Sequence, residues 1–321
     1  MTFQNRGNKA TKTGFGEGLL EAGRLNPDVI CLGADITASV GCDLFANALP
    51  DRFFSMGIAE QNCVGVAAGL ALEGKIPVFS TYGVFAALRC ADQIRVSVCY
   101  NNLHVVIGGA HAGVSVGPDG ATHQALEDIG IMRVLPNMTV ISPCDATQTR
   151  TATLAAILRH KGPVYIRFGR EPMPDFTNVA DEFLIGKAQV LRPGEDLTII
   201  ATGHLVWEAI QASYLLEMQG IHARVINMHT IKPIDKAAIF TAALETGAIV
   251  TAEEHQILTG MGSAVAEAIV SQCPVPMEFI GMPDRFGESG TPHELMDKFG
   301  LTARAIAEAS LKVFARKKGV V

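Results

Sequence analysis

Four short stretches gather side chains able to handle protons, grip hydroxyls or hold anions. In FSMGIAEQN (54–62) a strand ends near Gly57 and a helix begins, placing Glu60 in a first turn. The helix dipole alone favours a carboxylate there. Its neighbours Ile58, Ala59, Cys63 and Val64 are apolar, which also fits a partly desolvated acid sharing a proton with a ligand. GAHAGVSVGPDGATHQ (109–124) sets His111, Asp119 and His123 among glycines. Such a loop lets backbone approach a sugar or phosphate while imidazoles and a carboxylate reach in, or it is a plain surface turn. No thiol or third histidine stands close enough for zinc, so no metal ligands are expected. YIRFGREPMP (165–174) offers Arg167 and Arg170 just after a strand, as phosphate forks or as salt bridges. STYGVFAALRCADQIR (80–95) places Tyr82 and Phe85 three apart, as a platform for a flat heterocycle or as a core contact.

These stretches need a scaffold, and the chain supplies an alternating one. Apolar runs at 29–35, 76–82, 103–109, 138–144 and 163–168 read as strands, and 58–74 and 146–162 between them read as helices. The pattern loosens over 169–195, which holds three prolines, then resumes with strands at 197–203, 222–229, 248–254 and 275–282. The tail from Thr302 is an amphipathic helix ending in basic residues. Alternation of this kind predicts an α/β protein of two doubly wound parallel-sheet domains, 1–175 and 190–321. Functional loops are then expected at the C-terminal ends of the strands.

Composition narrows the class. The 321 residues carry 26 Lys+Arg against 32 Asp+Glu, a net charge of -6, with 48% hydrophobic residues. That excludes a disordered chain and argues against non-specific nucleic-acid binding. No apolar run reaches the roughly 18–20 residues of a membrane helix, and MTFQNRGNKATKTGFGEG lacks an apolar signal core and reads as a mature start. Seven scattered cysteines, none in C-x-x-C spacing, suit reduced thiols of a cytoplasmic protein. There is no P-loop, and TGMGSAVAEA (259–268) lacks the third glycine of a dinucleotide fingerprint, which favours a tight loop with close helix packing.

Taken together and in order, GADITAS (33–39), MGIAEQN, STYGVF, DGATHQ, IMRVLPNMTVISPCD (131–145), INMHTIKPID (226–235) and VTAEEHQILTGMGSAVAE (250–267) resemble the C-terminal half of transketolase. The resemblance covers nearly the whole chain and implies thiamine diphosphate at a subunit interface. Glu60 matches the carboxylate that hydrogen-bonds N1′ of the aminopyrimidine. A proton shared there promotes the tautomer whose imine deprotonates the thiazolium. Phe85 matches the ring that stacks on the pyrimidine, Tyr82 a nearby pocket position, and Asp35 a position near the cofactor. Asp119 and His123 match the pair that binds donor hydroxyls. Ser39, His111 and Arg170 match the phosphate end, with Arg167 a further candidate.

The family's Gly-Asp-Gly…Asn motif, which holds magnesium and the diphosphate, does not stand upstream of Gly33. The resemblance therefore implies the small subunit of a split transketolase. A separate N-terminal partner would hold Mg2+ and the diphosphate in an α2β2 heterotetramer that transfers a two-carbon ketol unit between sugar phosphates. Leu88 stands where the family often has a tyrosine. The alternatives are the β subunit of a 2-oxoacid dehydrogenase E1, a deoxyxylulose-phosphate-synthase-like enzyme, and a non-catalytic assembly partner.

Overall fold

The computed structural model describes residues 3–319, organised around two large sheets. The first has seven strands in the order Thr230–Lys232, Thr139–Ile141, Val164–Arg167, Val106–Ala110, Ile76–Tyr82, Val29–Gly33 and Phe53–Ser55. All pairings in it are parallel except at the Thr230–Lys232 edge. The second has five strands in the order Met277–Met282, Ile249–Gln256, Leu197–Ala201, Ala223–Asn227 and Gln189–Arg192, with only the last antiparallel. Every residue of Val29–Gly33, Val106–Ala110, Val164–Arg167 and Leu197–Ala201 is buried, as strands covered by helices on both faces must be. Both large sheets are thus parallel-rich, each with one antiparallel edge.

Three features depart from the sequence reading. The stretch 169–195 is not a plain connector. Pro172–Pro174 pairs with Asn8–Ala10, and Gln189–Arg192 closes the second sheet. A helix at Thr11–Leu25 escapes the sequence pattern because glycines interrupt it. Those glycines are required by contact: a Cβ on Gly14 would strike the Ala146 carbonyl, and one on Gly18 the Arg150 carbonyl. The strand Thr230–Lys232 leaves the second sheet's run of chain and completes the first sheet, antiparallel to Thr139–Ile141.

The two sheets are tied by a buried charge network. Arg167, 6% exposed, donates from Nε to both Asp128 oxygens at 3.1 and 2.9 Å. Its Nη2 donates to the Ala125 carbonyl at 3.0 Å and to the Glu254 carbonyl of the second sheet at 2.8 Å. The Tyr165 hydroxyl donates to Asp128 at 2.8 Å, and Gly109 is obligatory because a Cβ there would collide with that hydroxyl. Arg167 is therefore a structural cation. It is removed from the candidate phosphate contacts because it is buried with Nε and Nη2 already committed.

Removing the carboxylate would strand that guanidinium, a loss of about 3–5 kcal/mol for a buried pair. Asp128→Ala should lower the urea unfolding free energy by that order. Asp128→Asn, which keeps a hydrogen-bonding oxygen, should lose less. Equal stability of Asp128→Ala and the parent would remove the network from this role.

Candidate functional site

Five neighbouring parallel strands of the first sheet deliver their C-terminal ends to one edge. Val164–Arg167 leads to Arg170, Val106–Ala110 to His111, Asp119 and His123, Ile76–Tyr82 to Tyr82 and Phe85, Val29–Gly33 to Asp35 and Ser39, and Phe53–Ser55 to Glu60. This is the edge where open α/β sheets bind ligands. Two non-glycine residues there hold left-handed backbone, Asp35 at φ 64° and His111 at φ 51°. Strain of this kind persists where surrounding structure enforces it, often at functional positions.

The rings form one wall. His111 lies on Tyr82 with centroids 4.2 Å apart and planes 19° from parallel. Tyr82 and Phe85 are stacked at 5.9 Å, and His123 meets them edge-on at 5.8 and 5.5 Å. His111 Nε2 lies 3.0 Å from the Ser39 carbonyl and donates to it as the neutral ring, which leaves Nδ1 buried without a partner. Burial pushes His111 down to about 4, the Ser39 bond opposes that shift, and the Arg170 cation reinforces it. His123 Nδ1 lies 2.9 Å from the Thr122 hydroxyl. Ser39 thus meets His111 through its backbone, and Asp35 is exposed.

Glu60 opens the helix Glu60–Leu72 and is 4% exposed; of the apolar neighbours expected around it Cys63 and Val64 are buried, whereas Ile58 is 75% exposed and does not seal it. Burial, then the nearby Glu60 charge, raises the Cys63 thiol to about 11 and Cys90 to about 12, so both are inert thiols. The surroundings are not purely apolar, however. Arg89 Nη1 donates to Glu60 Oε1 at 2.7 Å, and its guanidinium carbon lies 4.2 Å from the Phe85 ring centroid. Phe85–Arg89 is a π-helical turn, a widened turn often found at functional sites. A buried carboxylate beside an aromatic ring, already holding a flat cation, fits a flat protonatable aminopyrimidine. Sequence reasoning passed over Arg89, whose role shows only in its contacts with Glu60 and Phe85.

On the opposite flank, Arg170 Nη1 donates to Asp119 at 3.0 Å. The loop carrying Asp119 and His123 is braced by the second sheet's part of the chain. Glu254 Oε1 accepts from the Ser115 N–H at 2.6 Å. Gln124, 2% exposed, donates from Nε2 to the Val114, Gly117 and Glu288 carbonyls. Both braces went unassigned in the sequence, because their partners lie more than a hundred residues away. The TGMGS turn is closed to phosphate: Glu253 accepts from the Met261 and Gly262 N–H groups at 2.7 Å, filling that helix N-terminus with the chain's own carboxylate.

Known proteins are similar to this chain over most of its length. Residues 8–175 match the model for the transketolase pyrimidine binding domain, and residues 186–306 match that for the transketolase C-terminal domain. The 6-deoxy-6-sulfo-D-fructose transketolase subunit SqwH of Clostridium sp. (strain MSTE9) is 44% identical over 93% of this chain and 92% of its own length. An apulose-4-phosphate transketolase subunit of Phocaeicola vulgatus is 41% identical over 96% of this chain and 98% of its own. A solved structure described as a split gene transketolase, inactive beta4 tetramer, is 47% identical, superposes with a TM-score of 0.90, and covers 96% of this chain and 99% of its own.

Two buried histidines contribute to a pH dependence of folding, opposed by His204, Asp145 and Glu253, which are raised. His111 and His229 are both depressed from 6.5 to about 4, in each case chiefly by burial. The unfolded chain then binds more protons between those values, so stability is full above about 6.5 and falls as pH drops toward 4. Each histidine should cost about 2 kcal/mol at pH 5. Urea unfolding at pH 7.5 and 5 should show this drop, and His229→Gln should reduce it. A drop left unchanged by His229→Gln would contradict the burial of that ring.

Proposed function

This chain belongs to the transketolase family, and from that premise we propose which parts of a split, thiamine-diphosphate-dependent catalyst it contributes. It is a small transketolase subunit, of the class that transfers a two-carbon ketol unit. The observation that carries the assignment of roles is the convergence of Glu60, Phe85, His123, Asp119 and Arg170 on one sheet edge. Glu60 and Phe85, flanked by Tyr82 and Asp35, would hold the aminopyrimidine of thiamine diphosphate. When bound, that group supplies a carbon nucleophile for a ketose carbonyl.

The chain's own residues do the rest. Glu60 holds the proton at the pyrimidine ring nitrogen, and its burial keeps water from competing for it. His123 and Asp119 orient the donor's hydroxyls. Arg170, with Ser39 and His111 beside it, receives the anionic end of the sugar. His111 serves there as a neutral ring: with Nε2 committed to Ser39, it offers an anion no N–H. Relatives named for a sulfo-sugar and for a sugar phosphate both support a ketose with an oxyanion at its far end. A separate N-terminal subunit would hold magnesium and the diphosphate, a reading supported by relatives named as transketolase subunits that this chain matches over 92% and 98% of their own length. Self-association of the chain is supported by the relative described as a beta4 tetramer.

The test mixes this chain with its N-terminal partner, thiamine diphosphate, magnesium, a ketose phosphate and an aldose phosphate. Ketol transfer should require both chains, and Glu60→Ala should lose at least about 100-fold in kcat while unfolding like the parent. Ketol transfer by this chain alone would refute the division of labour. Arg170→Ala should raise KM for phosphorylated ketoses at least about tenfold more than for the free sugar, the scale of one charge-assisted contact. Equal effects on both substrates would take Arg170 out of the anion site.

A further inference from the structure

We infer that Arg89 occupies the aminopyrimidine's seat in this chain and has to be displaced before the cofactor's ring can enter. The inference rests on the reading of Glu60 and Phe85 given above. A guanidinium is planar, delocalised and forked with N–H donors. Here it satisfies both demands expected of the pyrimidine: Nη1 lies 2.7 Å from Glu60 Oε1, and the guanidinium carbon lies 4.2 Å from the centre of the Phe85 ring. The arginine already uses a carboxylate oxygen and the ring that the pyrimidine would use, so the two compete for the same seat.

The arginine is also built to leave. Its side chain is 43% exposed, whereas its partner Glu60 is 4% exposed. Among the described residues its guanidinium makes no hydrogen bond other than the one to Glu60. It closes a π-helical turn, Phe85–Arg89, so its swing toward solvent breaks no strand and no regular helical ladder. The other titratable neighbours that bear on Glu60 are Cys63, on its own helix, and Cys90, on another element, both neutral thiols held above their usual range. Among the described residues Arg89 is thus the cation that answers Glu60, and it keeps the buried carboxylate paired until a second planar cation takes over.

The experiment uses the purified chain, its Arg89→Ala and Arg89→Gln variants, and each variant combined with Glu60→Gln. Two probes are titrated by calorimetry and ligand-observed NMR: 4-amino-2,5-dimethylpyrimidine, and benzamidine as a flat cation unrelated to thiamine. Both variants should bind the pyrimidine at least tenfold more tightly than the parent, and the gain should vanish with Glu60→Gln. Unchanged or weaker pyrimidine binding overturns the inference. In that case benzamidine separates the causes. A gain for benzamidine alone means that Arg89 fills a flat-cation seat and the thiamine reading of that seat fails. No gain for either probe means that Arg89 obstructs nothing.

Discussion

The contact on which the rest depends is the buried pair of Arg167 and Asp128. Two charges withdrawn from water are costly unless their donors and acceptors are met. Here Nε serves both carboxylate oxygens, Nη2 serves two carbonyls, and Tyr165 completes Asp128. One of those carbonyls belongs to Ala125, at the end of the loop bearing Asp119 and His123. The other belongs to Glu254, whose carboxylate takes the Ser115 N–H at the start of the same loop. A single polar knot therefore fixes both ends of the loop bearing Asp119 and His123 and joins the two sheets through it.

This arrangement divides labour within the chain. The first sheet provides the strand ends from which all proposed contact residues emerge, while the second provides braces. Gln124 reaches the Glu288 carbonyl, and Glu254 reaches Ser115. At the edge itself charges meet in pairs, Glu60 with Arg89 and Asp119 with Arg170. In both pairs the cation is the more exposed member, so it can change partner with little further desolvation.

Much of this was legible in the residues because parallel strands buried on both faces write themselves as unbroken apolar runs. IPVFSTY is the strand Ile76–Tyr82 to the residue, and VYIR lies inside the expected 163–168. Motif order then gave the family. What stayed hidden depended on contacts distant in sequence. The GFGEG of the first helix looks like a loop until the backbone of the segment after Asp145 is laid against it. Arg167 and Arg170 stand three residues apart with similar surroundings in sequence, yet one is sealed beneath the sheet edge and the other reaches Asp119. Arg89 carried no signal by itself, because its meaning lies in the ring and carboxylate it touches.

The strand Thr230–Lys232 has a consequence for how the molecule could be cut. It covers the edge of Thr139–Ile141 and is lent from beyond the second sheet's third strand in chain order. A fragment stopping near residue 175 would leave that edge's amides and carbonyls unmet, an invitation to sticky edge-to-edge pairing between copies. Recombining halves from two related proteins would likewise have to carry this borrowed segment with its host sheet. The natural seam for shuffling therefore does not coincide with the connector in the chain.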